Sequence, residues 1–262
     1  MITADLHTHS NFSSDSDEPL SEMVKAASEK GLSTLCLTEH LDLDYPGGDF
    51  MLDTEGYRKE LLRVRETVKD IELLFGVELG LMDYLAQRLN EYSKAWDFDF
   101  IIGSSHLIDG QDPYYPEYFQ RLGSKNGVLR YFESILANVR AMDCFDVYGH
   151  LDYAVRYSPE KSYDPREYAE IINEILRLLI GKGKGIEINT AGIKSGLGYI
   201  HPHEFILKRY KELGGEIITI GSDAHDRTRV AADFDKAEAA LAAAGFKYYT
   251  IFRKRKPYFF EL

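Results

Sequence analysis

Short apolar runs rich in β-branched residues alternate along the chain with longer segments in which apolar residues recur every three or four positions. The first pattern is typical of buried strands and the second of amphipathic helices. The predicted strands lie near Ile2–Leu6, Thr34–Thr38, Leu73–Val77, Phe100–Ser104, Val147–His150, Gly185–Asn189, Ile217–Gly221 and Tyr248–Phe252. The clearest predicted helices are Leu20–Lys30, Glu55–Lys69, Val128–Met142, Arg166–Ile180 and Ala231–Ala244. Because strands and helices alternate strictly, we expect an α/β fold with a parallel sheet.

Seven or eight strand–helix units in 262 residues fit a barrel better than an open doubly wound sheet. The glycine fingerprint of the doubly wound dinucleotide-binding fold does not follow the first strand. The chain also contains no internal repeat, low-complexity tract or Pro/Ser-rich linker. We therefore expect one domain that spans residues 1–262.

The connections between the predicted elements are asymmetric. Helices return to the next strand through short links, whereas long segments follow four of the strands, at Leu41–Asp53, Ile108–Gly127, Ala154–Tyr163 and Thr190–His201. Long loops are usually functional. In barrels the active site lies at the carboxyl ends of the strands, so we expect the functional face there.

Charge and composition restrict the possible partners and the location. The chain has 31 Lys and Arg against 43 Asp and Glu, a formal net charge of −12, which disfavours binding to nucleic acid or to an anionic membrane. The first residues lack the pattern of a secretory signal, and the apolar runs are too short to span a membrane. We expect a soluble, cytoplasmic protein in which Cys36 and Cys144 are buried, reduced thiols.

Six of the eight histidines stand at the ends of predicted strands, together with two carboxylates. These residues are His7, His9, His40, Glu78, His106, His150, Asp223 and His225. A single histidine in a buried strand is more often a satisfied core residue than a ligand. Unrelated core histidines have no reason to collect at the same end of five strands, with Glu78 at the same end of a sixth, so the set predicts a metal site.

The types of ligand limit the metal. Imidazole and carboxylate groups without thiolate suit Zn, Mn or Fe. A catalytic zinc ion takes about three protein ligands, so eight groups imply two or three ions. Asp15, in the loop after the first strand, adds a ninth candidate. A solvated or helix-capping role fits Asp15 equally well, and Asp17 competes with it.

The motifs as a set resemble those of the polymerase and histidinol phosphatase (PHP) superfamily, in order and along nearly the whole chain. They are His7-Thr8-His9, Thr38-Glu39-His40, Glu78, Ser105-His106, Gly149-His150 and Gly221-Ser222-Asp223-Ala224-His225. The segments around His150, Asn189 and Asp223 are similar to the histidinol-phosphate phosphatase branch. The resemblance implies a distorted TIM-like (β/α)7 barrel with a trinuclear metal site at the carboxyl ends of the strands.

The resemblance also implies how nine residues divide among three divalent ions. The first ion would be held by His7, His9, Glu78 and Asp223. The second would share Glu78 as a bridge and add His106 and His150. The third would be held by Asp15, His40 and His225, although some family members have histidine where this chain has Asp15.

For the activity, the resemblance implies hydrolysis of L-histidinol phosphate to L-histidinol and phosphate in histidine biosynthesis. We expect a metal-activated hydroxide to attack phosphorus directly, with Glu78 as the bridging ligand and Asp223 as a proton donor to the leaving alkoxide. A PHP-type enzyme acting on phosphotyrosine protein or nucleotides, and a noncatalytic metal-binding module, are the alternatives. The net charge argues against a nucleic-acid substrate, and the oligomeric state is left open.

Two cations and one loop are candidates for contact with the substrate. Arg156 and Lys194 follow the fifth and sixth strands, where they would bind phosphate or remain solvated surface cations. The acidic and aromatic residues of Ile108–Gly127 would cover the organic part of the substrate or simply pack on the barrel rim. His201 and His203 are predicted to be bystanders at the surface or at a helix start.

Overall fold

The computed structural model describes residues 1–160 and 163–262, so the predicted loop Ala154–Tyr163 lies partly outside the described residues. Seven parallel strands form one sheet in the order of the sequence, from β1 to β7. Their bounds are Ala4–Thr8 (β1), Thr34–Leu41 (β2), Glu72–Gly80 (β3), Phe100–Ser104 (β4), Val147–Tyr148 (β5), Gly185–Asn189 (β6) and Ile218–Gly221 (β7). The predicted parallel sheet is confirmed, with seven units rather than eight.

The first and last strands of this sheet meet just beyond their carboxyl ends. Thr8 forms a parallel bridge with Ala224, the Asp223 N–H donates to the His7 carbonyl oxygen at 2.8 Å, and the His9 N–H donates to the Ala224 carbonyl oxygen at 2.8 Å. The sheet is therefore a nearly closed barrel, which confirms the distorted TIM-like architecture. The bonds that join its edges lie among the predicted metal ligands.

Helices cover the outside of the barrel because each presents an apolar stripe. In α6 the buried residues Ile172, Ile175, Leu176 and Leu179 follow helical spacing. The helices are Leu20–Glu29 (α1), Thr54–Thr67 (α2), Ala86–Ala95 (α3), Pro116–Leu122 (α4), Ser124–Ala141 (α5), Ala169–Gly181 (α6), Ala191–Lys194 (α7), Glu204–Glu212 (α8) and Phe234–Ala244 (α9). Four short 3-10 turns lie at Pro46–Gly48, Asp83–Leu85, Tyr153–Tyr157 and Pro165–Tyr168.

Some segments differ from the sequence predictions. Helix α4 occupies part of the predicted loop Ile108–Gly127, and α7 occupies part of Thr190–His201. Strand β5 has two residues instead of the predicted four, because the chain turns at once and the Tyr153 N–H donates to the His150 carbonyl oxygen. These differences all lie on the functional face.

The predicted last strand does not join the barrel sheet. It forms β8 (Tyr248–Arg253), which pairs antiparallel with β9 (Lys256–Glu261). A two-residue turn at Lys254 and Arg255, both with positive φ, makes this pairing local. The hairpin lies at the amino ends of the barrel strands, where the Ile218 N–H donates to Thr250 Oγ1 at 3.2 Å.

Cys36 and Cys144 are buried and free, as predicted. In the described part of the chain, no helix has the length and apolar character needed to cross a membrane.

Candidate metal centre

Glu78 lies at the centre of the strand-end residues and is fully buried. Its Oε2 lies 3.1 Å from His7 Nε2 and 3.0 Å from His40 Nδ1. Its Oε1 lies 3.0 Å from His150 Nε2 and 3.3 Å from His106 Nε2. Four imidazoles carried by four different strands therefore converge on one carboxylate.

A first group on one side of Glu78 contains His7, His9 and Asp223. His9 Nε2 lies 3.5 Å from both Glu78 Oε2 and Asp223 Oδ1, and His7 Nε2 lies 3.7 Å from the same Asp223 oxygen. Ligands that surround a tetrahedral zinc ion at about 2.1 Å are roughly 3.4 Å apart. These atoms are therefore spaced like ligands of one cation.

His9 Nε2 gives an independent test of whether the residues fit a metal. It is buried, and within the described residues it has no hydrogen-bond partner. A buried polar atom without a partner is costly in a structural role. The lone pair of a metal-binding imidazole needs no hydrogen bond, so the atom fits a ligand.

A second group contains Glu78, His106 and His150, and a third gathers around Asp15. Asp15 Oδ2 lies 3.0 Å from His225 Nε2 and 3.6 Å from His40 Nε2. Of the two acids considered for this loop, Asp15 is the one that contacts the imidazoles. The structure thus brings all nine predicted ligands together, and the described residues form a divalent-metal binding site.

Buried carboxylates hold the outer ring nitrogens of two of these imidazoles. Glu187 Oε1 lies 2.6 Å from His7 Nδ1, and Asp42 Oδ2 lies 2.7 Å from His106 Nδ1. A carboxylate at Nδ1 fixes the proton there and leaves the Nε2 lone pair for a metal. Both imidazoles therefore present Nε2 towards Glu78.

His9 is oriented through a hydroxyl group. Ser13 Oγ lies 3.1 Å from His9 Nδ1 and donates to Glu39 Oε2 at 2.6 Å. Glu39 also accepts from the Ser10 N–H and hydroxyl, and it is fully buried. This carboxylate therefore fixes the turn that follows β1.

Glu187 and Asp42 were not among the residues predicted for the site. The available signal for Glu187 was a charged residue in a buried strand, between Ile186 and Ile188, so that it faces the barrel interior. A Cβ at Gly221 on β7 would lie 2.6 Å from Glu187 Oε1 and 2.2 Å from His7 Cβ. Glycine is therefore required where β7 passes these side chains.

The site keeps its central carboxylates ionised. Burial raises the pKa of Glu78, but His7, His106 and His40 lower it well below the usual value. Burial likewise raises the pKa of Asp223, and His7 and neighbouring imidazoles lower it well below its ordinary range. These carboxylates carry negative charge in a buried place, which favours cations.

The site raises the pKa of some imidazoles and lowers the pKa of others. Burial lowers the pKa of His40, but Glu78 and Asp15 outweigh it and raise the pKa to about 10. Burial lowers the pKa of His9, and the neighbouring His40 and His225 lower it further. The site therefore holds protons on some ligands, which compete with metal ions.

A cavity of about 490 Å³ opens above the metal ligands. Arg156 lines it, with the guanidinium carbon 4.0 Å from the Tyr153 ring centroid and 5.0 Å from that of Tyr157. Lys194 is exposed on α7 and is not among the lining residues. Its predicted contact with phosphate stays a prediction.

Acidic and aromatic side chains also line the cavity. They are Asp42, Tyr45, Asp49, Phe50, Asp112, Tyr114 and Tyr115. Three of these residues come from the loop Ile108–Gly127, so this loop contributes to the cavity as well as to packing.

The two predicted bystanders differ. His203 is the N-cap of α8 and accepts a hydrogen bond from the Phe205 N–H through Nδ1, which confirms a helix-start role. A surface position for His201 is wrong, because the residue is fully buried and its Nδ1 lies 2.6 Å from Asp152 Oδ1. Its hydrogen-bond partner Asp152 lies 49 residues away along the chain, so no local sequence pattern indicates this pair.

The chain is similar to proteins of known family along almost its full length. A family model of the PHP domain matches residues 5–191. A histidinol-phosphatase from Lactococcus lactis is 34% identical over 260 residues, which are 98% of this chain and 96% of the relative. A probable histidinol-phosphatase from Clostridium acetobutylicum is 34% identical over 240 residues, 89% of this chain and 90% of the relative.

A solved structure has the same fold. The crystal structure of histidinol phosphate phosphatase from Lactococcus lactis, in complex with zinc, L-histidinol and phosphate, superposes with a TM-score of 0.90 at 33% identity. The superposition covers 98% of each chain. On the family match, the near full-length identity and the shared barrel, the chain belongs to the PHP domain family.

Proposed function

We propose that the chain is a metal-dependent phosphomonoesterase that hydrolyses L-histidinol phosphate to L-histidinol and phosphate, as a cytoplasmic enzyme of histidine biosynthesis. The observation that carries the proposal is a cavity lined by two kinds of side chain. Candidate metal ligands and Arg156 form one set, and acidic and aromatic residues form the other. A substrate with a phosphate and a cationic amine or imidazole fits both.

The nine ligands are proposed to hold three divalent ions of Zn, Mn or Fe. His7, His9, Glu78 and Asp223 would hold the first, Glu78 with His106 and His150 the second, and Asp15 with His40 and His225 the third. Bound ions would lower the pKa of a bound water towards neutrality and balance the charge of the phosphate. The distances around Glu78 and Asp15 support this division.

Asp223, which is ionised in the free site, is proposed to accept the proton that the attacking water releases and to pass it to the leaving oxygen. It has a positive φ of 53°, an unusual conformation for a residue other than glycine, and such strain concentrates at functional sites. Asn189 Nδ2 donates to Asp223 Oδ2 at 3.3 Å and holds this oxygen on the side of the carboxylate away from the first group of ligands. Glu78 acts through both oxygens as the bridge between two groups of ligands.

Arg156 is proposed to bind the phosphate, with Lys194 as a second contact after a movement of its exposed side chain. The planar guanidinium suits two parallel hydrogen bonds to phosphate oxygens. Its stacking on Tyr153 and Tyr157 reduces the number of orientations that binding must fix.

Asp112 is proposed to pair with the positive end of the substrate. Its Oδ2 accepts from Tyr45 Oη at 2.9 Å and its Oδ1 accepts from the Tyr114 N–H at 2.8 Å, so the carboxylate is held at the cavity wall. Aromatic faces beside a carboxylate favour a cationic group.

The function is tested by comparing turnover of three substrates by metal-reconstituted protein. We expect kcat/KM for L-histidinol phosphate to exceed that for a phosphotyrosine peptide or a single-stranded oligonucleotide by about 100-fold. Rapid turnover of only the oligonucleotide or the peptide would overturn the substrate. No turnover of any substrate, with metal occupancy confirmed, would favour the noncatalytic module.

The variant Asp112→Asn tests recognition of the positive end of the substrate. It should raise KM for L-histidinol phosphate about tenfold, because a neutral amide attracts a cation less than a carboxylate does. Turnover of an aryl phosphate that carries no cationic group should change less than twofold. The matched variant Asp109→Asn, at an exposed acid of the same loop that pairs with Arg130, should leave both substrates unchanged. An equal loss on both substrates with Asp112→Asn would contradict the assignment.

A further inference from the structure

Asp152 and His201 form a buried pair beside the cavity, outside the metal ligands. Both side chains are fully buried, and Asp152 Oδ1 lies 2.6 Å from His201 Nδ1. The other oxygen of Asp152 accepts the His203 N–H at 2.9 Å. Neither residue has a role in the proposed reaction, although a buried pair of this kind needs a good geometry to be tolerated.

His201 is fixed to the barrel through its backbone. Its N–H donates to the Asn189 carbonyl oxygen at 2.8 Å, and the Asn189 N–H donates to the His201 carbonyl oxygen at 2.7 Å. Asn189 is the last residue of β6, and its side-chain amide contacts both Glu187 and Asp223. The backbone of His201, from which its imidazole extends, is therefore held in a fixed position relative to the candidate metal ligands.

Asp152 immediately precedes the 3-10 turn Tyr153–Tyr157, which carries Arg156. The Val155 N–H donates to the Asp152 carbonyl oxygen at 3.1 Å. Arg156 stacks on two tyrosines of this same turn. The position of its guanidinium over the cavity thus depends on where Asp152 is held.

The ring of His201 also supports helix α7. A Cβ on Gly192 would lie 3.0 Å from His201 Cδ2 and 2.7 Å from the Tyr199 carbonyl oxygen. Helix α7 rests on this ring through its glycine, and it carries Lys194. One imidazole is therefore packed between the two turns that bear the candidate phosphate cations.

We propose that Asp152 and His201 are a positioning pair that ties the Arg156 turn to the end of β6 and thereby sets the affinity for the phosphate group. The proposal rests on the proposed function, in which Arg156 binds phosphate. The hydrogen bond between an imidazole N–H and a carboxylate is strong and directional in a buried place. A small displacement of the guanidinium is enough to weaken phosphate binding, because its hydrogen bonds to phosphate oxygens depend steeply on distance and angle.

The test uses His201→Phe, which keeps a ring but loses the Nδ1 donor, and His201→Asn, whose Nδ2 takes the place of that donor. In metal-loaded enzyme, His201→Phe should raise KM for L-histidinol phosphate and the inhibition constant of inorganic phosphate together, by about tenfold. We expect kcat to change less than threefold and the metal content to stay that of the wild type. His201→Asn should recover most of the phosphate affinity.

Two further variants keep the test decisive. Asp152→Asn places an amide against the His203 N–H and should also weaken phosphate binding. This variant takes the place of His201→Phe if the latter fails to fold. His203→Asn keeps the N-cap of α8 and should behave as the wild type. Unchanged KM and phosphate inhibition in folded His201→Phe, or an equal loss in His201→Asn, would overturn the proposal.

Arg156→Ala separates this proposal from the proposed function. If Arg156→Ala weakens phosphate inhibition and His201→Phe does not, the positioning role alone is wrong. If Arg156→Ala also leaves phosphate inhibition unchanged, the phosphate contact itself is wrong. If the wild type hydrolyses no substrate, calorimetric binding of inorganic phosphate to the same metal-loaded variants still measures the effect of the pair.

Discussion

At the scale of single residues, the chemistry depends on which nitrogen each imidazole presents. Glu187 holds Nδ1 of His7 at 2.6 Å and also accepts the His150 N–H at 3.0 Å. Asp42 holds Nδ1 of His106 at 2.7 Å. A ring that is fixed in this way loses little freedom when it binds a cation, so these carboxylates preorganise the site.

Glu187→Gln should weaken metal binding by about 10- to 100-fold. A glutamine places an N–H donor against either His7 Nδ1 or the His150 N–H, and the first arrangement moves the His7 proton to Nε2, where it blocks the metal. The measurement is competition with a chelator, followed by the metal content of the protein. Glu170→Gln, at an exposed position on α6, is the matched control and should retain full affinity. Equal affinities in the two variants would contradict the role of Glu187.

At the scale of elements, the hairpin β8–β9 closes the end of the barrel opposite the site. Arg253 pairs with Glu72 at the start of β3, and Arg255 pairs with Asp146, which precedes β5. Arg255 also donates to the Cys144 carbonyl oxygen at 2.8 Å. The hairpin therefore joins strands that are far apart in the sequence, at the end of the barrel opposite the candidate metal centre.

Arg255→Met should lower the free energy of unfolding by about 1–3 kcal/mol and leave kcat/KM within twofold. Methionine keeps the apolar stem but leaves the buried Asp146 carboxylate without its charged donor. Thermal and denaturant unfolding of the metal-loaded protein measure the loss. Arg63→Met, which breaks an exposed pair with Glu60, should leave the free energy of unfolding almost unchanged. If Arg255→Met is no less stable than Arg63→Met, the hairpin does not fasten the barrel.

At the scale of the whole molecule, the acidic balance and the metal centre act at different ranges. The net charge of −12 repels polyanions from the surface. Bound divalent ions reverse the sign of the local field, because a metal is usually the largest charge in its site. A small phosphate monoester can therefore be attracted by a protein that repels nucleic acid.

Metal affinity should rise with pH between about 6.5 and 10. In the metal-free protein the pKa of His40 is about 10 and that of His7 lies well above its ordinary value, both because neighbouring carboxylates outweigh burial. Such raised values stabilise the protonated, folded protein below pH 6.5, and this contribution is lost as the pH rises through the folded pKa. Each proton that a metal must displace changes the apparent affinity by about tenfold per pH unit. Chelator competition at pH 6.5, 7.5 and 8.5, corrected for the chelator, measures the slope, and a flat profile would contradict it.

Local patterns in the sequence were enough to predict the barrel and the convergence of most candidate metal ligands at one face. Periods of two and 3.6 residues identify strands and helices, and parallel strands bring their carboxyl ends to one face, so His7, Glu78 and Asp223 had to meet. The nine ligands contact one another as the sequence and the family resemblance together predicted. The extension of the domain over residues 1–262 and the roles of Arg156 and Lys194 stay predictions.

The surroundings of those candidate ligands depend on contacts that form only in the folded barrel. Glu187 contacts His7 across 180 residues, and Asp152 buries His201 across 49, so no local pattern reveals either pair. The hairpin β8–β9 does not join the barrel sheet, because its two strands pair with each other through a two-residue turn and β7 bridges to β1. The sequence indicated which groups converge at the strand ends, and the packing of the closed barrel sets which groups orient them, because orientation depends on contacts between strands that are distant along the chain.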